Sequence, residues 1–343
     1  MIRHIAGLRL LPRPAIRTLL PFLLASAASV RGAAAPPEPP AQALPAPAAT
    51  AEEPMSCTHT IAAPGAEPLG EALTRAEAGD TICLGPGEYR SEAWPLPLRQ
   101  DVTLRGSAGA ARTVLVGDGQ RPLLGLAAHG LVVRLEGLTL SGGAGPEGGA
   151  VAAANDPKKL EIVDCLLRGN RAWRAGGGAL YLDGGLLILE RTRVLDNEAP
   201  RGGGLFLDQA ARAELRQVVI AGNRAKAAGG GLLLWDGVVL DAQGSTFAAN
   251  SCDNGGRGAQ LAILRTPGRA PVVSLRDCLL GPAPAGAAAL FNDGELRVAG
   301  SVLPLALSDL AAARIADGGG NRFADLRFRP DGDRAVDPAS LPE

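Results

Sequence analysis

Lysine is nearly missing from this chain: Lys158, Lys159 and Lys226 are the only lysines among 34 basic residues. Aromatic residues make up 3%, and Tyr89 and Tyr181 are the two tyrosines. A core with so few rings must be built from Leu, Val, Ile and Ala, which suits thin regular layers better than a bulky centre. Charge of one sign is lacking too. The 34 basic and 35 acidic residues are interspersed and leave a net charge of −1. That balance excludes the basic footprint of a nucleic-acid binder or of a protein held on an anionic membrane. Past the N-terminal segment only His59 and His129 remain. No arrangement of Ser, His and Asp fits a nucleophilic triad, and His129, in Ala127-Ala128-His129-Gly130, reads as a solvated turn residue. The C-x-x-C spacing of a metal site is absent. Beyond residue 30 no apolar run approaches the ~20 residues of a bilayer span.

What is abundant is turn chemistry, with 46 Gly and 27 Pro in 343 residues, alongside 46% hydrophobic residues that exclude a wholly disordered chain. The Arg and Ala bias reads as GC-rich, bacterial codon usage. Arg3, Arg9, Arg13 and Arg17 precede an apolar run from Leu19 to Val30 and then small residues. This is the pattern of an export signal, assigned to residues 1–34, with Ala25-Ser26-Ala27 or Gly32-Ala33-Ala34 as cleavage site and an uncleaved anchor as the alternative. No cysteine follows the run to take a lipid. Residues 35–56 are Pro/Ala-rich and read as a disordered linker without a packing face. The expected location is therefore outside the cell or on its surface, with the periplasm as a third compartment.

Internal periodicity decides the fold. Triple glycines at 176–178, 202–204 and 229–231, with Gly255-Gly256 as a remnant, alternate with Asn170, Asn197, Asn223 and Asn250. From the first glycine to the next asparagine the offset is 21 in each complete unit (176 to 197, 202 to 223, 229 to 250). Between these marks lie apolar runs of four to six residues, such as Leu186–Glu190, which are too short for helices. A unit of about 26 residues cannot bury its own apolar face and must stack on its neighbours. Stacking at ~4.8 Å pairs each strand in parallel with its counterparts above and below. The fold class that follows is all-β, a right-handed parallel β-helix of roughly eight coils. Gly177, Gly203 and Gly230 are expected to supply sharp corners through positive φ or close approach. The four asparagines are expected to form a hydrogen-bonded column in a left-handed turn. Weaker coils extend the stack over residues 57–305, with an irregular tail at 306–343.

The Gly-Gly-Gly-Ala-Leu, Gly-Gly-Gly-Leu-Phe and Gly-Gly-Gly-Leu-Leu units, with Val-Leu-Asp-Asn and Phe-Ala-Ala-Asn, resemble the GGA-I and F-x-x-N repeats of chlamydial polymorphic outer membrane proteins. The stretch Glu71 to Arg90, followed by Val102-Thr-Leu-Arg-Gly, resembles the opening segment of pectin-lyase-like β-helix proteins. That resemblance implies a short N-terminal capping helix near Leu69–Ala78. The tail Gly318-Gly-Gly-Asn-Arg-Phe is similar to the closing segment of secreted bacterial β-helix proteins. Given the cap, Cys57 and Cys83 flank it and are the expected disulfide. Cys165 and Cys278 share Asp-Cys-Leu-Leu but sit about four coils apart, roughly 19 Å at the strand spacing, so they and Cys252 are expected to stay unpaired. With five cysteines at least one is free.

One face carries candidate chemistry. Arg171, Trp173, Arg174, Arg201, Arg224 and Lys226 precede the glycine corners, and Asp183, Asp208 and Asp236 follow the next strand. A basic and an acidic column beside a parallel strand would suit an extended anionic polysaccharide. Arg174 or Arg201 would abstract a proton with Asp208 nearby, Trp173 would stack on a sugar, and the carboxylates would hold Ca²⁺, the one cofactor suggested. The plainer reading is that turns are polar and alternating charges keep a long stack soluble. The N-T-D, D-D, G-H-G and R-I-K strings of polygalacturonase-like chemistry are absent. Asp331-Gly332-Asp333 reads as a turn. The leading expectation is thus a non-enzymatic, adhesin-like binding or structural protein, with an extracellular polysaccharide or a cell-surface protein as partner. The alternative is a polysaccharide lyase or glycoside hydrolase acting on an extracellular, acidic polysaccharide.

Overall fold

The structure, a computed structural model, describes residues 56–65, 68–91, 93–253, 257–284, 288–304 and 314–324. The export signal, the linker except Ser56, Gly255-Gly256 and the Asp331-Gly332-Asp333 turn lie outside them. The chain forms a right-handed parallel β-helix, the hand expected when right-twisted strands are joined by parallel crossovers. One coil shows the plan. Leu186–Glu190 lies in a first sheet, Arg193–Leu195 in a second, Glu198–Arg201 in a third and Leu205–Asp208 in a fourth. Arg212–Arg216 then stacks on Leu186–Glu190 with Leu187 paired to Ala213. Among the described residues the first sheet has eleven strands, the second ten, the third five and the fourth eight. Among the described residues eight coils therefore carry strands in the first, second and fourth sheets, and five of these carry all four.

Strand alternation points every second side chain inward. In the first sheet Val133, Leu160, Leu187, Ala213, Leu240, Val273 and Leu296 stack in one inward column. The fourth sheet faces them with Leu124, Val151, Leu180, Leu205, Leu232, Leu261 and Leu290. All of these are buried and belong to one continuous core. Thin aliphatic layers are what a 3% aromatic content dictates.

The asparagine column is the polar spine of this core. Each amide donates to a carbonyl in the coil below, three residues before the matching position, and the Oδ1 atoms of Asn197, Asn223 and Asn250 each accept twice from the asparagine of that coil. Asn197 Nδ2 donates to Leu167 O at 3.1 Å and to Asn223 Oδ1 at 2.9 Å, while its Oδ1 accepts from Asn170 N at 2.9 Å and from Asn170 Nδ2 at 3.0 Å. The ladder begins at Gly143 N–H, which donates to Asn170 Oδ1 at 2.9 Å, and ends at Gln260, whose Oε1 accepts from Asn250 Nδ2 at 2.7 Å. The left-handed residue is the one before each asparagine rather than the asparagine itself: Gly169, Asp196, Gly222 and Ala249 have φ of 62°, 56°, 64° and 50°.

The glycine corners also differ in detail from the simple triplet reading. Gly177 has φ 69°, but it aligns with Gly202 and Gly229, since Leu180 pairs with Leu205 and Leu205 with Leu232. Gly203 and Gly230 occupy the next column, where φ is ordinary and the constraint is close approach. A Cβ on Gly203 would lie 2.4 Å from Gly230 O, and one on Gly230 would lie 2.4 Å from Ala259 O.

The N-terminal end is closed by the helix Leu69–Arg75, which buries Leu69, Ala72 and Leu73. A disulfide joins Cys57 to Cys83, with Cα atoms 5.7 Å apart, so the edge strand His59–Ile61 is tied to its partner Asp80–Leu84. Cys165 and Cys278 are buried and free, and Cys252 is free and half-buried. At the other end the boundary at residue 305 falls too early. Arg314–Asp317 adds to the first sheet and Arg322–Ala324 to the second, so the described part of the tail carries a further rung.

Candidate functional site

The third and fourth sheets bring the candidate face together. In the fourth sheet Leu180 and Leu182 point inward, which leaves Tyr181 and Asp183 outward. The next coil repeats this with Phe206 and Asp208, and Asp183 is the direct pairing partner of Asp208. The outward rings do not stand in water. Tyr181, Phe206, Leu233 and Ala262 are buried in a second apolar cluster with Ala228, and Trp235 packs against it. Tyr181 meets Phe206 edge-on at 5.4 Å, and Phe206 stacks on Trp235 at 6.0 Å. The guanidinium of Arg201 lies 5.1 Å from the centre of the Trp235 ring, a cation–π contact that holds the third-sheet arm against the fourth sheet.

Carboxylates crowd the rim of this cluster. Burial first, and then Asp208, Asp156 and Glu147, raise the Asp183 carboxyl above its ordinary value. Asp208 is also raised, by burial and by Asp236, against the opposing Gln209 N–H and Arg201. Burial pushes the Tyr181 phenol up, and Asp183, Asp208 and Glu147 push it further while Arg201 opposes them. Asp208 Oδ1 accepts from Gln209 N at 2.8 Å. No hydrogen bond or ion pair ties the Asp183 carboxylate or the Tyr181 hydroxyl among the described residues.

The residues singled out from sequence separate into two groups. Arg201, Asp183 and Asp208 meet at this rim. The basic column does not form, because Ala144, Arg171, Glu198, Arg224 and Ser251 stack in one register and Glu198 separates the two arginines. Arg224 is spent on Asp253 at 3.0 and 3.1 Å. Asp236 accepts from Thr266 Oγ1 and from Arg269, the latter at 3.1 Å, so its carboxylate already has partners. Arg174 and Lys226 stand exposed on the arm, and Trp173 is 51% exposed. Asn170, Asn197, Asn223 and Asn250 are internal and do not reach this surface. His129 is exposed in its turn. Among the described residues no three His, Cys, Asp or Glu side chains converge as a metal site would require. Sequence reasoning missed Tyr181, Phe206, Trp235, Glu147 and Asp156. The signal for the rings was available: in Leu-Tyr-Leu-Asp and Leu-Phe-Leu-Asp the aromatic sits at the parity opposite to the core leucines.

Two clefts open at the N-terminal end instead. One of about 340 Å³ is lined by Pro64, Leu69, Tyr89, Trp94 and Leu96 under the Glu88–Arg90 ion pair, and one of about 150 Å³ by Thr58, His59, Arg75 and Asp80. No helix of the described residues is long and apolar enough to cross a membrane.

No protein-family model and no curated protein matches the chain. Among solved structures it is similar to the pectin methylesterase PemA from Erwinia chrysanthemi, with a TM-score of 0.41 and 10% identity over 82% of this chain and 86% of that one.

Proposed function

We propose that this chain is an exported or cell-surface β-helix protein that binds a partner through its lateral face without turning it over, in the manner of an adhesin. The observation that carries the reading is the use of charge between coils. Guanidinium groups pair with carboxylates of neighbouring coils: Arg134 with Glu161 at 2.6 Å, Arg191 with Asp164 at 2.8 Å, Arg224 with Asp253 at 3.0 Å, Arg276 with Asp241 at 2.8 Å and Arg265 with Asp293 at 3.1 Å. The four more exposed pairs contribute little stability each and Arg134–Glu161 is part-buried, but all five fix side chains that catalysis would need free and pointed at a substrate. The repeat supports the same reading. Gly-Gly-Ala-Val at 148–151 and Gly-Gly-Ala-Leu at 177–180 share one register with 202–205 and 229–232. The asparagine follows an inward aliphatic or Phe by three at 167/170, 194/197, 220/223 and 247/250. This register supports the likeness to GGA-I and F-x-x-N repeats on which the binding reading draws. The partner is an extracellular polysaccharide or a cell-surface protein.

A second reading has one observation in its favour. Asp183 and Asp208 are pairing partners on adjacent coils and both stand above the ordinary carboxylate range, largely through burial, the character of an acid in a glycan-cleaving site, with Arg201 beside Asp208. That reading is a polysaccharide lyase or glycoside hydrolase. The test is reducing-end release by the full chain on acidic and neutral polysaccharides, with and without Ca²⁺, beside a co-sedimentation binding assay. Binding without release is the expected result. Reproducible release that disappears in the Arg174→Ala/Arg201→Ala/Asp208→Asn triple variant overturns the binding reading in favour of the enzyme.

A further inference from the structure

We draw no further inference here: the strongest candidate, the surface patch on the third-sheet arm where Trp173 stands exposed with Arg171, Arg174 and Lys226, carries nothing because Glu198 stacks on Arg171 within it and nothing in the structure shows what covers it.

Discussion

Replacing Asn197 with alanine tests whether the buried ladder holds the coils together. Asn197 is 1% exposed and sits mid-ladder. Its side chain makes four hydrogen bonds, two as donor and two as acceptor. Some partners keep a second bond after the change. Asn223 Oδ1 still accepts from Asn197 N at 3.0 Å, and Asn170 Nδ2 still donates to Leu140 O at 3.1 Å. The Asn170 N–H keeps none, since Asn197 Oδ1 is its acceptor. An orphaned buried donor costs about 1–3 kcal/mol, and each further lost bond about 0.5–1.5 kcal/mol. The expected destabilisation is about 3 kcal/mol, against about 0.5 kcal/mol or less for Arg212→Ala on the exposed face. Urea unfolding reads the global cost, and amide hydrogen exchange at Asn170 reads the local one, where about 3 kcal/mol appears as a hundredfold or so in protection. Asn197→Asp keeps the acceptor but turns a donor into a buried carboxylate facing Leu167 O and Asn223 Oδ1. Its folded-state pKa is therefore raised, so that variant should recover stability as pH falls through that value. If Asn197→Ala unfolds within about 0.5 kcal/mol of Arg212→Ala, the ladder is not what fixes the stack.

Gly130 and Gly177 share φ 69°, yet a Cβ on Gly130 meets nothing within 4 Å while one on Gly177 lies 2.2 Å from Leu180 O. Gly130→Ala should cost about 1–2 kcal/mol and Gly177→Ala several times that, so equal thermal shifts would show that close approach plays no part. Removing the Cys57–Cys83 bridge, which spans 26 residues, should cost about 3.5 kcal/mol on the chain-entropy model. The loss should show as earlier urea unfolding of Cys57→Ser/Cys83→Ser, and an unchanged midpoint would mean the edge strand adds nothing to stability. Asp183→Asn should raise the melting temperature at pH 7 and not at about pH 3, because a carboxyl whose folded pKa is raised opposes folding only once ionised. A variant that is less stable than the parent at pH 7 would contradict the repulsion at the rim.

The inner half of each coil was legible in the sequence and the outer half only in part. Inward positions must be apolar, asparagine or close-packed glycine, and those demands repeat each coil, so the register of Leu180, Leu205 and Leu232 could be read at sight. The third sheet left no such mark. Glu198–Arg201 and Arg224–Ala228 are strands, yet the buried side chains they share are Ala199, Ala225 and Ala228, too small and sparse to look like an apolar run. A strand that packs one alanine inward is invisible to periodicity. The expected basic column failed for a related reason. Residues drawn from similar places in the sequence, Arg171 and Arg224, have Glu198 between them once the coils stack. Pairing across coils, not spacing along the chain, decides which charges are free.

The same stacking indicates where selection for a partner would act. Inward columns are constrained by the fold alone, so their regularity carries no functional information. Outward columns are free to drift, and in the first sheet they do: Arg134, Glu161, Ile188, Glu214, Asp241 and Ser274 follow one another with no common chemistry. Simple duplication of coils would have carried all outward positions equally. In the fourth sheet, however, the aromatic-then-aspartate pattern recurs outward in consecutive coils as Tyr181 with Asp183 and Phe206 with Asp208. The aspartates there repel one another and stand above their ordinary pKa, an arrangement the core does not require and the folded state does not favour. The outer apolar cluster accounts for the rings, whereas the aspartates beside them recur at a cost to stability, and that recurrence points to a role outside packing.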